Sequence, residues 1–69
     1  MERQPVSSSN LTSVGYDEDT ATLEVEFKSG AVYRYYNVPS FEYERLMAAS
    51  SHGVYFNANI KDKYPDERA

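Results

Sequence analysis

Cysteine and tryptophan are absent from this 69-residue chain, and there is a single histidine, His52. Without cysteine the fold has none of the disulfide staples of small secreted domains. Without tryptophan the large core side chains have to be tyrosine and phenylalanine, of which the chain has seven and three. No apolar stretch is long enough to span a bilayer, and Met1-Glu2-Arg3-Gln4-Pro5 leads into no apolar run of the secretory kind. A cytoplasmic location and no membrane contact are the expectation. A basic excess is also missing. The net charge is −4 and the isoelectric point is near 4.8, whereas a protein living on phosphate contacts usually carries a basic stripe.

What is present suffices for one domain and one core. A chain this short buries only about 60% of the surface that its unfolded form exposes, so every large apolar side chain is needed. Residues 1–10 hold Pro5 and Ser7-Ser8-Ser9-Asn10, with Val6 as the one apolar side chain past Met1, and read as a flexible lead-in. Residues 11–64 form the domain, and 65–69 read as a frayed tail.

Within the domain, Leu11 to Tyr16 is a first strand, in which Gly15 marks a bulge or a close backbone approach. Asp17-Glu18-Asp19-Thr20 is a turn. Thr22 to Lys28 alternates strictly, with Leu23, Val25 and Phe27 on one face and Glu24 and Glu26 on the other. Lys28-Ser29-Gly30 turns into Ala31 to Val38, a third strand rich in aromatic and β-branched residues. Pro39 and Ser40 open a helix whose Tyr43, Leu46, Met47 and Ser50 share a face. Gly53 separates it from a second helix with Phe56, Ile60 and Tyr64 at a spacing of four, ending before Pro65. The expected fold is therefore α+β, a short three-stranded antiparallel sheet followed by two short helices packed on one face.

The hairpin register decides where Tyr33 and Tyr35 point, since a slip of one residue reverses every side chain. A two-residue Ser29-Gly30 loop leaves both rings outside. A three-residue loop closed by Gly30 in the left-handed conformation sets Tyr33 beside Val25, Tyr35 beside Leu23, and Arg34 across from Glu24 in a favourable cross-strand pair. The second register is preferred, and it makes both tyrosines mainly core residues.

Leu23-Glu24-Val25-Glu26-Phe27, Gly30, Tyr33-Arg34-Tyr35, Val38-Pro39, Ala49, Ser51, Gly53, Tyr55-Phe56-Asn57 and Ile60-Lys61 occur in an order that resembles the KTSC domain family, over roughly Val6 to Tyr64. That family takes its name from a segment at the C-terminus of some lysyl-tRNA synthetases and includes small free-standing bacterial and phage-associated proteins. Its hallmark is the central Tyr-x-Tyr, here Tyr33 and Tyr35. Its function is not established, and the synthetase context implies RNA binding as one possibility, against which the acidic balance of this chain stands.

Several residues carry both a functional and a structural reading. Tyr33 and Tyr35 either stack bases or pack under the helices. Arg34 either contacts a phosphate or carboxylate ligand or pairs with Glu24. Ser51, Gly53, Tyr55, Asn57 and Lys61 either form a polar patch at the start of the second helix, where anions are favoured, or serve as cap, bend and loop contacts. His52 next to Ser51 is no nucleophile–base pair, because adjacent residues do not face each other and no third group orients them. Asp17, Glu18 and Asp19 lack the spacing and glycine of a calcium loop. These residues point to no catalytic, metal or cofactor site. They point to a non-catalytic binding or accessory module with a protein partner, with RNA, such as tRNA, as the alternative.

Overall fold

The computed structural model describes residues 1–69. Strands β1 (Arg3–Pro5), β2 (Leu11–Asp17), β3 (Thr22–Phe27) and β4 (Val32–Tyr35) precede helices α1 (Ser40–Ala48) and α2 (His52–Asn59), and β5 (Asp66–Arg68) follows. All five strands form one antiparallel sheet in the order β1-β2-β3-β4-β5. The α+β class, the antiparallel sheet and the two helices agree with the sequence reading. The strand number does not, being five instead of three.

The two extra strands lie in the segments read as lead-in and tail. Neither has an alternating apolar pattern. β1 is Arg-Gln-Pro and β5 is Asp-Glu-Arg, with every β5 side chain exposed. They join the sheet through backbone pairing, Arg3 opposite Gly15 and Arg34 opposite Glu67, with flanking bonds from Tyr36 N–H to Pro65 (2.8 Å) and Ala69 N–H to Val32 (2.8 Å) and no large apolar side chain in either strand.

The β3–β4 hairpin follows the three-residue loop. Glu24 faces Arg34, Val25 faces Tyr33 and Leu23 faces Tyr35. Gly30 has φ of 96° and donates to the Phe27 carbonyl at 2.9 Å, closing a turn that most side chains would strain. β4 is shorter than the expected Ala31–Val38 strand, because Asn37 takes a left-handed φ of 62° and turns the chain towards α1.

Gly15 is a close approach and not the bulge. The bulge lies at Thr12, where Leu11 pairs with Phe27 but Ser13 pairs with Glu26. The extra residue puts Leu11 and Val14, three apart, on the same inner face, and both are fully buried. Those two join Leu23, Val25, Tyr35, Val38, Leu46, Phe56 and Ile60 in the core between sheet and helices.

In α1 the extended Pro39 is the cap, with no side-chain cap bond, Ser40 is the first helical residue, and the helix stops at Ala48. Glu42, in the first turn of α1, is buried. Its carboxylate accepts hydrogen bonds from the Tyr55 hydroxyl and, at 3.0 Å, the Tyr64 hydroxyl. Two neutral donors satisfy a charge that burial would otherwise penalise. Ser51 caps α2, its Oγ accepting from Val54 N–H at 3.3 Å. α2 ends at Asn59, so Tyr64 lies beyond the helix and pins the following chain to α1.

Candidate functional site

Alternation along β4 sends Tyr33 and Tyr35 to the helix side and Arg34 to the other. On the helix side Tyr35 is 4% exposed and Tyr33 half-buried, and both rings belong to one aromatic chain. Phe27 meets Tyr33 edge-on, with centroids 5.8 Å apart and an interplanar angle of 82°. It also meets Phe56 at 5.5 Å and 71°, and Phe56 meets Tyr35 at 5.4 Å and 78°. These edge-to-face contacts follow the quadrupoles of the rings.

The four rings form the floor of an open groove of about 910 Å³. One wall is the β3–β4 hairpin end with Lys28, and another is the loop before β2 with Asn10. The remaining walls are α2 and its following turn, with Asn57, Lys61 and Asp62, and β5 with Asp66 and Arg68. No polar side-chain atom is left buried without a partner, so the Tyr35 hydroxyl, which bonds to no protein group, opens onto this groove. Burial and then the Asp66 carboxylate push its pKa up to about 12.

Lys28, Lys61 and Arg68 have no ion-pair partner, since the close ion pairs of the protein all involve Arg3 or Arg34. Those pairs occupy the outer face of the sheet. Glu24 lies between Arg3 Nη1 (2.6 Å) and Arg34 Nε (2.9 Å), and its side chain is only 7% exposed. Burial pushes its carboxyl up, but hydrogen bonds from Arg34 and Arg3, with their charges, outweigh this and hold it below the usual carboxylate range. Ser13 extends the cluster, accepting from Arg3 Nε at 3.0 Å and donating to Glu26 at 2.8 Å. The sequence pairing of Glu24 with Arg34 therefore stands, but Glu24 is buried and not solvated, because β1 brings Arg3 over it.

Of the residues singled out by sequence, the groove gathers Tyr33, Tyr35, Asn57 and Lys61. Arg34 lies on the opposite face of the sheet, engaged with Glu24. Ser51 is occupied as a cap and Tyr55 by Glu42. Gly53 is packed so tightly on the loop before β2 that a Cβ there would lie 3.2 Å from Asn10 Nδ2. His52 Nδ1 donates to the Leu46 carbonyl at 2.8 Å, which satisfies the end of α1. Lys28, Arg68 and Asn10 were missed. Lys28 ends an alternating strand and Arg68 sits in a polar tail, and only the tertiary fold brings them to Lys61.

A family model for the KTSC domain matches residues 7–64. The chain belongs to the KTSC domain family. It is 45% identical over 64 residues to an uncharacterized protein of Stutzerimonas stutzeri, covering 93% of this chain and 90% of that one. It is 42% identical over 58 residues to a lysine–tRNA ligase of Nostoc punctiforme, covering 84% of this chain but only 10% of the ligase. The crystal structure of a KTSC domain protein from Yersinia pestis matches with a TM-score of 0.97 and 40% identity, over 99% of this chain and 96% of that one. The similarity spans the whole KTSC domain, while the ligase match is confined to a small part of that enzyme. No helix of the domain is long and apolar enough to cross a membrane.

Proposed function

We propose that this KTSC domain is a non-catalytic binding module that takes a segment of a partner protein into the groove between the β3–β4 hairpin, α2 and β5. The observation that carries this reading is the convergence of an aromatic floor with three unpaired cations from three separate elements in one concave place. Strand addition at a sheet edge is the competing route to a protein partner. Pro5 on β1 and the charged Asp66-Glu67-Arg68 of β5 blunt both edges, which favours the groove. A non-catalytic role is supported by the engagement of the single histidine ring with Leu46.

Backbone NMR of the labelled domain, titrated with defined peptides and with mixed tRNA, tests the proposal. Shifts clustered at Tyr33, Asn57 and Lys61 with peptide support it. Turnover of a substrate that disappears on changing one groove residue would overturn it. A second reading, RNA binding, is favoured by the similarity to part of lysine–tRNA ligases. It requires binding to mixed tRNA that weakens steeply with salt, as phosphate contacts do.

A further inference from the structure

We infer that the groove is built for an extended acidic peptide, one carrying an aromatic or large aliphatic side chain flanked by carboxylates. This rests on the groove being the binding site and adds the chemistry of its occupant. Three features of the groove carry it.

The first is the tilt of the rings. Neighbouring rings of the floor stand at 71–82° to each other. Successive nucleobases stack on exposed aromatic faces, and rings set nearly perpendicular offer no common plane for such a stack. Phe27 and Tyr33 are the half-buried pair, with Phe56 and Tyr35 almost wholly buried behind them, so a side chain laid in the groove meets the face of one ring and the edge of the other. That is the geometry of aromatic packing in a core.

The second is charge. The chain carries seven Lys and Arg against eleven Asp and Glu, yet the groove holds three cations, Lys28, Lys61 and Arg68, and two carboxylates, Asp62 and Asp66. A protein of net charge −4 thus has a locally cationic groove whose cations are unspent on internal pairs. One or two peptide carboxylates match this balance. A run of phosphates would bring more negative charge than three cations can meet, beside two carboxylates and an acidic remainder.

The third is the pair of amides, Asn10 and Asn57, on walls from different elements. Each offers a donor and an acceptor, the pairing that a peptide backbone requires.

The test uses Gly/Ser peptides with a central Asp-Phe-Glu, with Asn-Phe-Gln and with Asp-Ala-Glu, and oligouridylate as the RNA probe. Binding is followed by backbone NMR and by tyrosine fluorescence, which no tryptophan obscures. The Asp-Phe-Glu peptide should shift groove residues, and each altered peptide should bind about tenfold more weakly, or about 1.4 kcal/mol. Reversal of the exposed Lys28 and Lys61 (K28E, K61E) should abolish the preference for Asp-Phe-Glu over Asn-Phe-Gln. Equal binding of the acidic and neutral peptides at the groove would overturn the ligand chemistry and leave the groove standing. Shifts confined to other surfaces, binding of oligouridylate alone, or silence towards all four probes would overturn both.

Discussion

Gly15 is where a single methyl group should be felt most clearly. It stands between Arg3 and Glu24 in a row of residues paired across the sheet, and the lack of a side chain there lets Arg3 cross β2 to reach Glu24. A Cβ at this position would lie 2.7 Å from the Glu2 carbonyl oxygen and 3.0 Å from Arg3 Cγ. The first of these is backbone, so G15A has to displace β1. The Arg3–Glu24 contact would go with it, at about 1 kcal/mol once the partial exposure of Arg3 is allowed for. Poorer pairing of β1 adds to this, and the lower entropy of the unfolded Ala chain returns about 0.5 kcal/mol. The net loss should be about 1–2 kcal/mol. Against a total of about 3–10 kcal/mol for a domain of this size, that is a fall in Tm of about 5–15 °C. Urea denaturation of four proteins, the parent, G15A, R3A and the double variant, checks the cause as well as the size. If the methyl acts by dislodging Arg3, then R3A should cost about 1 kcal/mol in the parent and almost nothing in G15A. Equal costs of R3A in the two backgrounds, or a G15A protein as stable as its parent, would refute the reasoning.

Glu24 makes stability depend on acid. Its folded pKa is lowered, so its contribution is complete above the ordinary carboxylate range and is lost as pH falls through the folded value. Denaturation curves of E24Q should show a shallower acid limb than those of the parent. Tyr35 acts at the other end. Its pKa is raised to about 12 from 10.0, so its contribution is whole below pH 10 and lost as pH rises to about 12, and Y35F should remove that part of the alkaline decline. Replacing Tyr64 with Phe (Y64F) leaves the Glu42 carboxylate one donor short and should cost about 1 kcal/mol, read by thermal melting. Ser51→Ala removes the cap of α2 and should also cost about 1 kcal/mol, with faster hydrogen exchange at the Val54 amide as its local sign.

The parts of the fold that could be read from sequence are those in which a side-chain pattern and the backbone agree. Leu23, Val25 and Phe27 alternate, Gly30 supplies a positive φ, and the loop length then fixes the register through Tyr33 and Tyr35. The terminal strands are invisible because neither has an alternating apolar pattern, and Arg-Gln-Pro or Asp-Glu-Arg could equally be loop. Gly15 advertised a special backbone position without saying which, and the bulge fell on Thr12, whose β-branched side chain looks like ordinary strand. Glu42 in the first turn of a helix looks like a solvated partner of the helix dipole until Tyr55 and Tyr64 arrive from elsewhere in the chain. The groove was half legible. Asn57 and Lys61, four residues apart in sequence, fall in the polar patch expected at the second helix, whereas their meeting with Lys28 and Arg68 is made by the hairpin turn and by β5, which no local pattern announces.

The strand order also sets the sequence of events in folding. From β1 to β4 each strand pairs with its successor across a connection of a few residues, so four strands can zip together at small entropic cost of loop closure. β5 is different, because its pairing with β4 spans both helices. It closes the longest loop of the sheet with three exposed residues, and should be the last element to dock and the first to open. Asp66 and Arg68 ride on that strand. The rim of the groove on this side is thus its least stable part, able to open while the aromatic floor stays folded.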